Sequence, residues 1–166
     1  MKQYINYIKE IIGTDLKGTI VTFEDLVSFF IMNSEASDDE IEESNMYFDR
    51  RLPNEYKFFL NHYNGGTLFK IEDFAGFKFL GTNELTRHNE FQRENFGGDW
   101  DDRIILFCEC IGNAEYLGFK LEEIGSFQIV YCVLDVLPEE WTIVESSFEI
   151  FMNKLIEGKG REYWLD

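Results

Sequence analysis

The chain has 166 residues, of which 45% are hydrophobic and 17% aromatic, and its formal net charge is −17. This length suits one domain over residues 1–166, and the apolar content excludes a disordered chain. Because binding to phosphates requires clustered Lys and Arg, the composition argues against direct contact with nucleic acid.

The first third of the chain predicts three helices. An amphipathic helix over residues 3–12, rather than a signal peptide, is ended by Gly13. A short strand over residues 19–21 follows, and Thr22 then has the position of a helix cap. The helix after Thr22 is expected to bury three side chains: Leu26, Phe29 and Phe30. Ser37 starts the third helix, whose first turn carries acids that suit the positive end of the helix dipole.

Residues 52–66 carry the most distinctive pattern in the chain. Pro53 suits a helix start, because the amide that proline lacks would have no helical partner there. Aromatic and aliphatic side chains then recur at helical spacing and form one face, made of Tyr56, Phe59, Leu60 and Tyr63. We expect four side chains of this segment to be buried: Leu52, Tyr56, Phe59 and Leu60. The ending Asn64-Gly65-Gly66 predicts the end of the helix, since glycine tolerates the left-handed conformation of a C-terminal cap.

This pattern resembles the Smi1/Knr4 family, also called the SUKH superfamily, whose hallmark is an acidic helix followed by LP-x-x-Y/F-x-x-F-L and NGG. The resemblance covers roughly residues 35–157 and includes a Ser-Phe-Glu helix near the C-terminus. It gives Glu42 or Glu43 the place of the acidic residue in the helix before the LP motif. Residues 111–116 depart from the G-D/N-G-D-like turn of many members. If that turn contributes to partner choice, the departure implies a different partner.

After Gly66 the sequence predicts a run of strands and a closing helix. The strand candidates are residues 67–71, 77–80, 104–110, 116–120, 127–134 and 142–144. The polar residues 81–101 are interpreted as a long irregular connection, and residues 146–155 as a capped helix. The predicted fold class is therefore α+β. A single domain has a mainly antiparallel sheet packed against helices from the N-terminal third and a C-terminal helix, as the resemblance also implies.

The negative charge is concentrated in two segments. Residues 18–49 contain nine acids and residues 121–153 contain seven, and neither segment contains a Lys or Arg. Residues 50–103 hold eight bases and nine acids, so this middle part is close to neutral. The acids either solubilise the protein or form a patch that steers a basic partner towards it.

We expect a protein partner to bind the acidic helix together with two loops in which acids flank a Trp. An exposed Trp beside carboxylates is a good binding anchor, although either Trp could instead belong to the core. The predicted partner-binding residues are Asp38, Asp39, Glu42, Glu43, Asp99, Trp100, Asp101, Asp102, Glu139, Glu140 and Trp141.

The resemblance and the charge lead to the hypothesis of an immunity protein. Many bacterial family members bind and block toxins, and family members are mostly not enzymes. The expected partner is a cognate polymorphic or contact-dependent toxin with a basic nuclease domain, whose active surface this protein masks. Three cysteines without disulfide spacing favour the cytoplasm, and no apolar run is long enough to span a membrane. The alternative is a regulatory protein-interaction scaffold, as the fungal relatives imply.

The sequence contains no pattern that predicts catalysis or a cofactor. Cys108 and Cys110 alternate along a predicted strand, so with Cys132 they form a poor zinc set. The acidic loop at residues 99–102 lacks the closing Glu of a calcium loop. We therefore expect no catalytic residues, no metal site and no cofactor.

Overall fold

Eight strands form one antiparallel sheet whose spatial order follows the chain order, from β1 to β8, in the computed structural model. The structure describes residues 2–166. The strands are β1 Lys17–Val21, β2 Val27–Met32, β3 Gly66–Ile71, β4 Ala75–Phe79, β5 Ile104–Cys110, β6 Glu115–Leu121, β7 Phe127–Cys132 and β8 Thr142–Glu145. The helices are α1 Gln3–Ile12, α2 Asp38–Tyr47, α3 Asn54–His62, α4 Thr82–Phe96 and α5 Phe148–Glu157. This confirms the predicted α+β class.

Helices cover both faces of the sheet. On one face, the rings of Tyr56 in α3 and Phe148 in α5 contact Phe107 of β5, which stacks on Phe119 of β6. α1 packs beside them against β1, β2 and α5. α4 lies on the opposite face, where its Asn89 bonds to the backbone of Leu106. One core cluster includes side chains from α1 to α5, so both faces belong to the same packed unit.

The predicted buried face of the LP segment is confirmed. Leu52, Tyr56, Phe59, Leu60 and Tyr63 are all buried. The hydroxyl of Tyr56 donates a 2.6 Å hydrogen bond to the carbonyl of Leu80, which satisfies this buried polar group. Pro53 occupies the N-cap, one position before the expected first turn.

The Asn64-Gly65-Gly66 segment contacts neighbouring strands and the start of α4, and it does not cap α3. α3 ends at His62 with extended backbone, and Asn64 instead accepts a 2.8 Å hydrogen bond from the Thr82 backbone N–H at the start of α4. A Cβ at Gly65 would lie 2.6 Å from the Phe79 carbonyl oxygen, and one at Gly66 would lie 2.7 Å from the Ile31 carbonyl oxygen. Both glycines therefore permit close approach of neighbouring strands.

Two sequence predictions are wrong. The segment after Thr22 forms strand β2, in which successive side chains point to opposite faces of the sheet. Phe30 is therefore buried while Phe29 is exposed, and the burial pattern repeats every two residues instead of following a helix. Residues 82–96, expected to be irregular, form α4. The buried side of α4 includes the polar side chains of Thr82, Asn89 and Gln92, which hides the helical hydrophobic pattern.

Candidate partner-binding surface

The acidic helix α2 begins with a complete capping box. The Ser37 hydroxyl accepts a 3.1 Å hydrogen bond from the Glu40 backbone N–H, and the Glu40 carboxylate accepts a 3.0 Å bond from the Ser37 backbone N–H. Hydrogen bonds from the backbone and then the side chain of Ser37 lower the pKa of Glu40. The carboxylate that fixes the first turn therefore stays ionised at neutral pH and suits the positive end of the helix dipole.

Four acids of α2, among them Glu40 of the capping box, have no ionic partner within residues 2–166. Asp38, Asp39 and Glu43 are exposed and form no salt bridge with any described Lys, Arg or His. Glu42, by contrast, pairs with Arg50 at 2.6 Å. The unpaired negative potential of α2 therefore comes from these three side chains together with Glu40, and it is available to a partner.

One exposed apolar residue of α2 is not among the predicted partner-binding residues. Met46 is 55% exposed and follows Glu42 and Glu43 by four and three residues, so it lies beside both on the helix surface. The helix buries Ile41 and Asn45, and Met46 falls outside that buried pattern. This mismatch in the periodicity is the signal that could have identified it. A flexible apolar side chain among carboxylates can pack against a partner that the charges attract.

The acidic loop at residues 99–102 lies next to the C-terminal end of α2. The Arg51 guanidinium is 3.4 Å from the Asp102 carbonyl oxygen, and a cleft of about 400 Å³ separates the two segments. Asp101 forms a salt bridge of 2.9 Å with Arg103, and the hydrogen bond from the Arg103 side chain lowers the pKa of Asp101. Asp99 and Asp102 are exposed. The loop thus lies beside residues 47–51 at the end of α2, and these contacts do not include the predicted acids at residues 38–43.

The expectation that the two indoles are exposed is wrong. Trp100 is 9% exposed and Trp141 is 7% exposed. The centroids of their rings are 6.4 Å apart, and both rings contact Phe96 at the end of α4. Trp141 also donates a 2.9 Å hydrogen bond to the Val133 carbonyl. The apolar rings complete the core under α4, where they bury more area than they would on a surface.

The third predicted segment touches the second through this buried contact. Glu139 and Glu140 are exposed on the turn before Trp141, and Glu140 accepts a 3.3 Å bond from the Leu137 backbone N–H. The acids of the 99–102 loop and of this turn therefore flank one aromatic cluster. Asp38 and Asp39 lie at the other end of α2, beyond Glu40, whose carboxylate is near Asn64.

Comparison with known proteins decides the family. A family model described as the SMI1 / KNR4 family (SUKH-1) matches residues 35–154, which is more than half of the chain. The chain belongs to the SMI1/KNR4 family. A search of curated proteins returned no match.

The SUKH-1 match begins just before α2 and ends within α5. It contains the acidic helix, the LP segment and the 99–102 loop, whereas α1, β1 and β2 lie before it. SUKH-1 proteins are generally immunity or interaction proteins rather than catalysts, so membership supports a role in protein binding.

The three thiols of the chain lie in the core. All three cysteines are buried, and burial raises the pKa of the Cys108, Cys110 and Cys132 thiols, so none is an activated nucleophile. Within residues 2–166 no three His, Cys, Asp or Glu side chains are grouped to hold a metal. In the same part of the chain, no helix has both the length and the apolar character needed to cross a membrane.

Proposed function

We propose that this SUKH-1 protein is an immunity protein that neutralises a cognate toxin in the cytoplasm of the producing cell. The proposed toxin carries a basic nuclease domain, and the acidic protein covers the surface that this domain offers to nucleic acid. The observation that carries the proposal is the set of exposed, unpaired carboxylates of Asp38, Asp39 and Glu43 on a chain with a net charge of −17.

The physical basis is competition for one basic surface. A nuclease binds phosphates through clustered Lys and Arg, and a surface of carboxylates complements the same cluster. Opposite charges also accelerate the encounter, which matters when few toxin molecules enter a cell. The rigid capping of α2 holds its carboxylates in place before binding, so less conformational entropy is lost on association.

Growth rescue tests the proposal. A toxin domain, if one is found encoded next to this chain's gene, is the candidate partner and is expressed from an inducible promoter. Co-expression of this protein should restore growth, and an unrelated acidic protein of similar charge serves as the control. If a neighbouring toxin domain kills the cells equally with and without this protein, the proposed function is wrong.

A regulatory scaffold is the second candidate, because the matching family model takes its description from SMI1 and KNR4 rather than from immunity proteins alone. The same surface would then bind a signalling or cell-wall enzyme. Affinity capture followed by mass spectrometry distinguishes the two candidates. Recovery of such an enzyme, with no toxin domain, favours the scaffold.

A further inference from the structure

A cleft opens at the end of the sheet where the β1–β2, β3–β4 and β5–β6 turns meet the C-terminal tail. Its volume is about 590 Å³, within the range of roughly 300–1,000 Å³ that is typical of ligand sites. Its walls come from residues 22–24, 74–77, 111–113, 160–162 and 165–166, with Phe69 and Ile71 from β3. None of the predicted partner-binding residues lines it.

Close backbone packing shapes this cleft. Gly112 has a φ of 102°, and a Cβ there would clash with the Phe74 carbonyl oxygen of the neighbouring turn. Gly160 has a φ of 83°, and a Cβ there would lie 2.7 Å from the Phe69 ring. The turns and the tail are therefore in direct contact, and the cleft is a fixed feature of the fold.

The rim of the cleft exposes large apolar side chains. Phe23, Phe74 and Leu165 are 49%, 59% and 58% exposed, and each comes from a different segment of the wall. Exposed apolar groups that converge on one concavity are typical of binding sites, whereas scattered ones are common on any surface.

The polar side of the cleft lacks a counter-charge. Glu162 lines the wall, and its Oε2 atom is buried without a hydrogen-bond partner among residues 2–166. The only Arg of the wall, Arg161, pairs with Asp166 at 2.8 Å instead. Burial also raises the pKa of Glu162, as expected for a carboxylate that is poorly solvated and unpaired. A cation beside Glu162 would be stabilised by this charge and would stabilise it in return.

We propose that this cleft binds a Lys or Arg side chain presented by an apolar segment of the protein partner. The aliphatic stem would pack against the Phe rings, and the charged head would reach the carboxylate of Glu162. The inference rests on the proposed protein-binding function and adds a second contact site, at turns of the sheet that lie outside the acidic surface.

Two blocked peptides test the cleft without any toxin. The first is acetyl-Phe-Lys-Leu-amide, and the second replaces Lys by norleucine, which keeps an aliphatic stem but has no charge. Amide chemical shifts of the full chain are followed by NMR during titration. The Lys peptide should shift the signals of Phe74, Gly112 and Glu162, and the norleucine peptide should bind about fivefold or more weakly.

Three variants sharpen the comparison. Glu162→Gln should remove the preference for Lys over norleucine, and thermal melts check that the variant is folded. Phe74→Ala should weaken both peptides about fivefold or more, because it removes an exposed wall of the cleft. Phe91→Ala is the matched control. Phe91 is also 59% exposed, but it lies on α4 outside the cleft, so this change should leave both affinities as they are.

Each outcome separates the cleft from the toxin proposal. Equal binding of the two peptides to the wild-type chain would contradict the proposed binding site in the cleft, even if growth rescue succeeds. Chemical-shift changes confined to other residues would contradict it as well. Peptide binding with the predicted preference for Lys supports the proposed binding site in the cleft, even if the neighbouring toxin is not neutralised. If Glu162→Gln does not fold, the wild-type peptide comparison and Phe74→Ala still decide the question.

Discussion

The carboxylate of Glu55 in the LP segment accepts a 2.6 Å hydrogen bond from the backbone N–H of Phe148, the first residue of α5. The same oxygen is 3.1 Å from the Glu149 backbone nitrogen, which also donates to it. Free N–H groups at a helix start favour a negative partner, and here another helix supplies it. The LP segment thus fixes α5 against the sheet as well as forming the aromatic core.

Replacing Glu55 by Ala should lower the free energy of unfolding by about 1–2 kcal/mol, as the loss of a helix cap does. Urea denaturation followed by circular dichroism measures the change. Glu43→Ala is the control, because Glu43 is exposed and unpaired, and its effect should stay within about 0.5 kcal/mol. Equal stability of the two variants would show that the contact with α5 contributes nothing.

Trp141→Ala should destabilise the fold by about 3–5 kcal/mol, because a buried aromatic ring is replaced by a cavity. The loss includes the hydrogen bond to the Val133 carbonyl, which would be left without a donor. Thermal and urea unfolding test this. Ile143→Ala, at an exposed position of β8, is the matched control and should have little effect. A Trp141 variant with unchanged stability would mean that the indole is not part of the core.

The sequence predicted local features better than tertiary ones. The start of α2 and the LP helix were predictable, because Ser37 and the aromatic spacing act within a few residues. The burial of Trp100 and Trp141 was not predictable, because it depends on α4. The hydrophobic pattern of this helix is masked by its buried polar side chains. The cleft around Glu162 was also beyond sequence reasoning, because three separate turns and the tail build it.

Asn89 supports the sheet at an irregular point of β5. Its side chain accepts a 2.8 Å bond from the Leu106 backbone N–H and donates a 2.9 Å bond to the Leu106 carbonyl, next to a register shift between β5 and β6. Asn89→Ala leaves both backbone groups buried and unpaired. We expect a cost of roughly 2–4 kcal/mol from two such groups, together with faster amide exchange at Leu106. Unchanged exchange at this amide in a folded variant would contradict the assigned role.

Alkaline pH should destabilise the protein through its buried tyrosines. Burial raises the pKa of Tyr116 to about 12, from its ordinary value of 10.0. The unfolded chain therefore loses this proton first, so the stability contributed by Tyr116 is fully present below pH 10.0 and is lost as pH rises towards 12. Stability measured by urea denaturation across this range should fall less steeply for Tyr116→Phe than for the wild type. Parallel profiles would show that Tyr116 does not contribute.

The most direct test of the central claim is the association rate of this protein with a toxin domain that growth rescue identifies as its partner, measured by stopped-flow fluorescence at low and high salt. Replacing Asp39 and Glu43 by Lys should slow association about tenfold or more at low salt, with a smaller effect at high salt. Replacing Glu10 and Asp15 by Lys gives the same change in net charge at other exposed, unpaired acids and should slow association much less. Equal slowing by both pairs, or by neither, would contradict the claim that α2 receives the partner.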